Sequence, residues 1–113
     1  MRRCEQTSEK YRKAAEILQS KNPNYPDKEN SPEGLNGVAK RYVAFNGAVG
    51  QLQLDWFRNT LQEAREKQEK VIVLSHQDIL SGSSNPVCLM WNYNDVLCVL
   101  REFRMANTCM RNA

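Results

Sequence analysis

The chain contains a single histidine, His76, and it is the residue best placed to do chemistry. It follows a short apolar run, Val71–Leu74, and the segment before that run, Gln51–Lys70, has helix-like periodicity. In open α/β sheets, ligands bind beyond the carboxyl ends of the strands, which is where a polar residue after a buried strand lies. His76 therefore has three interpretations: a metal ligand, a catalytic base or a structural histidine.

Few other residues could coordinate a metal ion together with His76. Asp78 is near enough in sequence to coordinate the same ion, although a carboxylate in an exposed loop is ordinarily only solvated. The four cysteines are widely spaced: Cys4, Cys88, Cys98 and Cys109. Without a C-x-x-C pair or a second histidine, they do not indicate structural zinc. No secretory signal is visible, so we expect reduced thiols in a cytoplasmic protein.

Length and composition allow one domain with a thin core. Leu, Ile, Val and Phe make up about 21% of the 113 residues, near the roughly 20% below which chains tend to remain disordered. The net charge is +3, and basic residues are mostly interspersed with acidic ones. No basic face with interleaved aromatics is apparent, so we expect no nucleic-acid partner. No apolar stretch is long enough for a membrane span, so we expect no membrane partner.

Hydrophobic periodicity predicts an α/β chain in the order helix, long loop, helix, strand, loop, helix. The predicted helices are Ser8–Lys21 with Ser8 as N-cap, Gln51–Lys67, and Asp95–Phe103 with Asn94 as N-cap. The predicted strand is Val71–Ser75, and its β-branched, uniformly apolar composition is typical of a strand covered on both faces. Such a strand needs neighbours on its edges, and no other segment is an obvious partner. The tail Met105–Ala113 has no periodicity and is predicted to be disordered.

Five ordered motifs carry a resemblance to a known family. They are Asn22–Asn24, Asn30–Leu35, Phe45–Gly47, the helix start Gln51–Phe57 with the run ending in His76, and Val87–Asp95. In this order they resemble the calcineurin-like metallophosphoesterases, and within them the manganese-dependent ADP-ribose/CDP-alcohol diphosphatases. The resemblance is clearest over residues 10–100, so we interpret residues 1–104 as part of such a domain and residues 105–113 as an unrelated tail.

The resemblance implies a two-metal hydrolase of the diphosphate linkage in ADP-ribose or CDP-alcohols, built as an α/β/β/α sandwich. Two divalent cations, here manganese, neutralise phosphate oxygens and lower the pKa of a bridging water in such sites. His76 corresponds to a metal-binding histidine at a strand end. Cys88 and Trp91 follow the loop that leaves the metal-facing strand end and are candidates for the nucleotide side of the cleft. Trp91 or Tyr93 is a candidate to stack on a base. Leu35 and Asn46, in the long loop, are candidates for the substrate-facing surface. For Cys88 and Trp91 the alternative is a place in the core, since free cysteines and aromatics are commonly buried.

Most ligand motifs of the family are absent from this sequence. Asp-x-His, Gly-Asp-x-x-Asp and Gly-Asn-His-Glu would precede this region, and Gly-His-x-His would follow it. Gln77 and Asp78 also depart from the apolar residue and proline that the family tends to carry after the histidine. One histidine does not complete a dimetal site, because hard divalent cations take about six ligands. We therefore expect this chain to be inactive by itself.

A second interpretation, from a different class, is a non-catalytic interaction segment. The exposed helix faces and the unpaired strand edge could dock on another chain, including a longer copy of the same enzyme. The same edge predicts self-association or aggregation through an incomplete sheet.

Overall fold

The computed structural model describes residues 8–111, with side chains for residues 8–104. In this range three α-helices and two short 3₁₀ helices follow one another. They are α1 (Glu9–Lys21), η1 (Gly37–Arg41), α2 (Gln51–Glu66), η2 (Pro86–Cys88) and α3 (Tyr93–Arg111).

The boundaries predicted for α1 and α2 are confirmed to within one residue. Ser8 is the N-cap of α1: its backbone is extended, and its hydroxyl accepts a hydrogen bond from the N–H of Tyr11 at 3.1 Å. α1 ends where Pro23 follows Asn22, because proline cannot continue a helix.

The main core lies between α2 and α3. Leu54 and Leu61, from the predicted apolar stripe of α2, are buried with Val96 and Val99 of α3 and with Met90. At the solvent side of the same contact, Arg58 and Glu102 form an ion pair at 3.2 Å. This pair is largely exposed, so apolar burial stabilises the contact more than the ion pair does.

The predicted strand Val71–Ser75 is not formed. Among the residues that the structure describes, the nearest element to a β-sheet is one isolated parallel bridge between Asp78 and Leu89. A strand is defined by its hydrogen-bonded neighbours, and no described segment pairs with residues 71–75. The β-branched, apolar composition favours a strand, but the neighbouring strands and covering layers that such a strand requires are not present among the described residues, so the predicted strand is wrong for this structure.

α3 starts earlier and ends later than predicted. It begins at Tyr93, so Asn94 lies inside the helix, and its backbone continues to Arg111. We predicted a disordered tail from Met105, whereas the described backbone of residues 105–111 is helical. The segment lacks Gly and Pro, so an established helix can propagate through it at little cost. Residues 112–113 of the tail lie outside the described part.

The long connection between α1 and α2 is organised by the amide of Asn22. Asn22 is buried, and its Nδ2 donates to the carbonyl oxygens of Ser31 at 3.1 Å and Tyr42 at 2.8 Å. Its Oδ1 accepts from the N–H of Asn24 at 2.9 Å. The side chain thus joins three points of a segment that has little regular structure.

The molecule is elongated. Its radius of gyration is 16.6 Å, against about 13 Å for a compact domain of this length. This agrees with the thin core expected from composition. Of the helices in the described residues, none combines the length and apolar character that crossing a membrane requires.

Candidate functional site

Three loops meet beside the amino end of α3. The Asp78–Leu89 bridge joins two of them: the N–H of Asp78 donates to the carbonyl of Cys88 at 3.1 Å, and the N–H of Met90 donates to the carbonyl of Asp78 at 2.8 Å. The third loop joins where the N–H of Trp91 donates to the carbonyl of Gly47 at 2.9 Å. The candidate site is therefore the meeting point of residues 46–47, 77–78 and 88–91.

Asn46 holds the first of these loops in place. Its Nδ2 donates to the carbonyl oxygens of Arg41, at 3.0 Å, and of Leu89. The side chain is buried, and its Oδ1 has no hydrogen-bond partner in the protein. Asn46 thus links η1 to the loop after η2. Its predicted place on the substrate-facing surface stays a prediction.

Arg41 is the residue at this site that the sequence did not single out. Its Nε donates to the carbonyl of Trp91 at 2.8 Å, and its Nη2 donates to the Tyr42 hydroxyl at 2.7 Å. Its guanidinium lies 4.3 Å from the centre of the Tyr42 ring and 5.2 Å from that of Tyr93. The sequence showed only a Lys-Arg doublet, and the contact spans fifty residues, so no local pattern could have revealed it.

Trp91 and Tyr93 lie next to this arginine in different environments. Trp91 is only 7% exposed, with its ring centre 6.3 Å from that of Tyr42 and its Nε1 unpaired. The ring faces are thus covered by protein, as the core alternative for Trp91 requires. Tyr93 is half-buried. Asn92 lies between them and is tied to Val49 by two hydrogen bonds, at 2.9 and 2.7 Å.

Cys88 and Leu35 differ in how they relate to the meeting point. Cys88 is a free, exposed thiol at the end of η2, so the core alternative does not describe it. Leu35 is half-buried in the long connection, where its N–H donates to the carbonyl of Pro32. The structure thus brings Cys88, Trp91 and Asn46 together and leaves Leu35 in a separate loop.

His76 is exposed and lies two residues before the bridge residue Asp78. The Asp78 carboxylate accepts a hydrogen bond from the Ser84 hydroxyl. Within residues 8–104, no three histidine, cysteine or acidic side chains come close enough together to hold a metal ion. The described residues therefore do not fit a manganese centre, and they offer at most one imidazole ligand to it.

Comparison with known proteins identifies what this arrangement resembles. No family model matches the chain. The manganese-dependent ADP-ribose/CDP-alcohol diphosphatase of Oryza sativa subsp. japonica is 42% identical over 96 residues, covering 85% of this chain. The enzyme of the same name from Xenopus tropicalis is 44% identical over 98 residues, and the one from Homo sapiens is 42% identical over 96.

A solved structure gives the same result in three dimensions. The crystal structure of a dimetal phosphatase from Danio rerio superimposes with a TM-score of 0.82 and 35% identity over 88% of this chain. The chain matches one segment of each of these proteins. It spans 29% of the length of the rice diphosphatase, 27% of the human one and 31% of the solved chain. The resemblance to this family that the ordered motifs indicated is confirmed.

Proposed function

We propose that this chain is the segment of a manganese-dependent hydrolase of ADP-ribose and CDP-alcohol diphosphate linkages that carries one metal-binding histidine, His76. The observation that carries the proposal is agreement between sequence and fold: eight manganese-dependent ADP-ribose/CDP-alcohol diphosphatases match at 37–44% identity, and a dimetal phosphatase matches in structure. A cytoplasmic location is part of the proposal and is supported by the free thiols of Cys88 and Cys98, since disulfides are rare in that compartment.

Within a longer diphosphatase, residues 71–75 would pair as a strand of the α/β/β/α sandwich. Strand pairing would fix the direction in which His76 leaves the sheet, and rigid support of that kind sets the position of a metal ligand. Cys88, Tyr93 and Asn46 would then lie on the nucleotide side. The bridge between Asp78 and Leu89 holds the loop of Cys88 beside the loop that follows His76, Asn46 donates to the Leu89 carbonyl, and Tyr93 begins α3 nearby.

Manganese would be held mainly by residues outside this chain. A bimetallic site needs about six ligands per hard cation, mostly oxygens, and this chain offers one imidazole. We therefore expect the chain alone, incubated with ADP-ribose and millimolar manganese, to release no AMP. AMP formation that His76→Ala abolishes would show that the chain is active without further segments.

A chimera tests the proposed role directly. Residues 10–100 of this chain would replace the matching segment of the human diphosphatase, and AMP release from ADP-ribose would be measured with manganese. We expect an active chimera and a loss of about 100-fold or more with His76→Ala, because a lost ligand costs at least as much as lost outer-shell support. Asn59→Ala, an exposed change on α2, is the matched control and should leave activity unchanged. An active chimera indifferent to His76→Ala would refute the metal role.

A second function, docking without catalysis, is favoured by a separate observation. Four large apolar side chains are strongly exposed on the surface that includes α2 and the segment after it: Leu52, Trp56, Ile72 and Leu74. Exposed apolar patches on soluble proteins commonly mark interaction sites. This role needs no metal, so measurements of association and of hydrolysis test the two functions separately.

A further inference from the structure

All three nitrogens of the Arg41 guanidinium donate to acceptors of the protein itself. Nε donates to the Trp91 carbonyl at 2.8 Å, Nη1 to the Val38 carbonyl at 2.7 Å and Nη2 to the Tyr42 hydroxyl at 2.7 Å. The group also lies near the rings of Tyr42 and Tyr93. Because the guanidinium is planar and its donors have a fixed fork geometry, this set of contacts fixes its orientation.

The loop after η2 is the segment that Arg41 holds. The carbonyl of Trp91 accepts from Arg41, and the N–H of the same residue donates to the Gly47 carbonyl at 2.9 Å. One residue earlier, the N–H of Met90 donates to the Asp78 carbonyl at 2.8 Å. Of these three bonds, the one from Arg41 is made by a side chain. A substitution at this position therefore loosens the loop without changing the backbone groups that pair.

The same loop carries a candidate for the nucleotide side. Cys88 lies three residues before Trp91, and its thiol is exposed. The Cys88 carbonyl accepts at 3.1 Å from the N–H of Asp78, which lies two residues after His76. A displacement of the Trp91 carbonyl is therefore passed to Cys88 through the covalent backbone. It reaches His76 only through hydrogen bonds between loops.

We propose that Arg41 is a positioning residue, which sets the nucleotide side of the substrate site through the Trp91 carbonyl. This role rests on the proposed diphosphatase function. Arg41 acts through the loop and not by touching the substrate, since each of its guanidinium nitrogens donates to the protein. A misplaced loop weakens ground-state and transition-state binding of the nucleotide alike, and such a change raises KM and leaves kcat unchanged.

Amide hydrogen exchange of the full chain tests whether Arg41 positions the loop. Arg41→Lys keeps the charge and loses the fork geometry. We expect the N–H groups of Met90 and Trp91 to exchange about tenfold faster relative to that of Val99 in the core, because local opening then breaks one bond fewer. Arg58→Lys, the same change at an exposed ion pair, should leave this ratio unchanged. An unchanged ratio in Arg41→Lys overturns the positioning of the loop.

Kinetics of the chimera test the consequence for the substrate. We expect Arg41→Lys to raise KM for ADP-ribose about tenfold and to change kcat by less than about threefold, since a small misplacement of binding groups is costly. The manganese concentration for half-maximal activity should stay the same, because His76 is reached only through hydrogen bonds between loops. Arg58→Lys should change none of these quantities. A fall in kcat at unchanged KM overturns the role.

Tyr42→Phe gives a second variant that keeps the ring and removes one acceptor of Arg41. We expect KM to rise by about threefold, and the double variant to show no higher KM than Arg41→Lys alone, because both changes act through one contact. Multiplied effects of the two changes would contradict this coupling. An active chimera whose KM is unchanged in Arg41→Lys overturns the positioning role alone. A chimera that is inactive even with Arg41 in place overturns the proposed function and this role with it.

Discussion

At the residue scale, hydrogen bonds from buried side-chain amides hold together loops that lack regular secondary structure. Asn22→Ala removes the two hydrogen bonds to the Ser31 and Tyr42 carbonyls and the one from the Asn24 N–H. Leaving buried polar groups unsatisfied costs about 1–3 kcal/mol each, and the site can relax in part, so we expect a loss of about 2–4 kcal/mol. The free energy of unfolding from urea titration measures it.

Asn36→Ala is the matched control for this change. Asn36 is exposed at the start of η1, and its side chain makes no capping hydrogen bond. We expect a change within about 0.5 kcal/mol, as is usual for such surface positions. Equal effects of the two substitutions would contradict the anchoring role of Asn22.

Arg41 makes a second prediction at this scale, because its contacts depend on the shape of the guanidinium. Lysine keeps the charge above Tyr42 but cannot donate to the Trp91 carbonyl and the Tyr42 hydroxyl together. We expect Arg41→Lys to destabilise the fold by about 1–2 kcal/mol and to alter the near-UV circular dichroism of Trp91. Arg58→Lys, at an exposed ion pair, should cost under about 1 kcal/mol. An Arg41→Lys variant of unchanged stability would show that the charge alone suffices.

At the element scale, α2 offers two leucines of opposite burial on one helix. Leu61 is 2% exposed in the core with α3, whereas Leu52 is 85% exposed. We expect Leu61→Ala to lower the free energy of unfolding by about 2–5 kcal/mol, and Leu52→Ala to change it by less than about 0.5 kcal/mol. Denaturant unfolding followed by circular dichroism measures both. Similar losses would contradict the location of the core between α2 and α3.

The same helices show how much of the fold could be predicted from the sequence. α1 and α2 were predicted within a residue, because an N-cap at Ser8 and the stripe through Leu54 and Leu61 are local signals. The strand predicted at 71–75 is not formed, because strand formation depends on partner strands that are distant in sequence or absent from the described residues. Among the candidate site residues, the motifs pointed to His76, Cys88 and Trp91, whose roles stay predictions. Arg41 was missed because its hydrogen-bond partner Trp91 is distant in sequence.

At the scale of the whole molecule, the lack of a cluster of metal ligands among the described residues has a consequence for metal binding. Ligand binding stabilises a fold by RT ln(1 + [L]/Kd), and one exposed imidazole at millimolar affinity or weaker contributes under about 0.5 kcal/mol at 1 mM manganese. We therefore expect the midpoint of thermal unfolding to rise by less than about 3 °C on adding 1 mM manganese. The active chimera should show a larger rise that His76→Ala diminishes. A large shift in this chain alone, lost with His76→Ala, would mean that it assembles a metal site from more than the residues described.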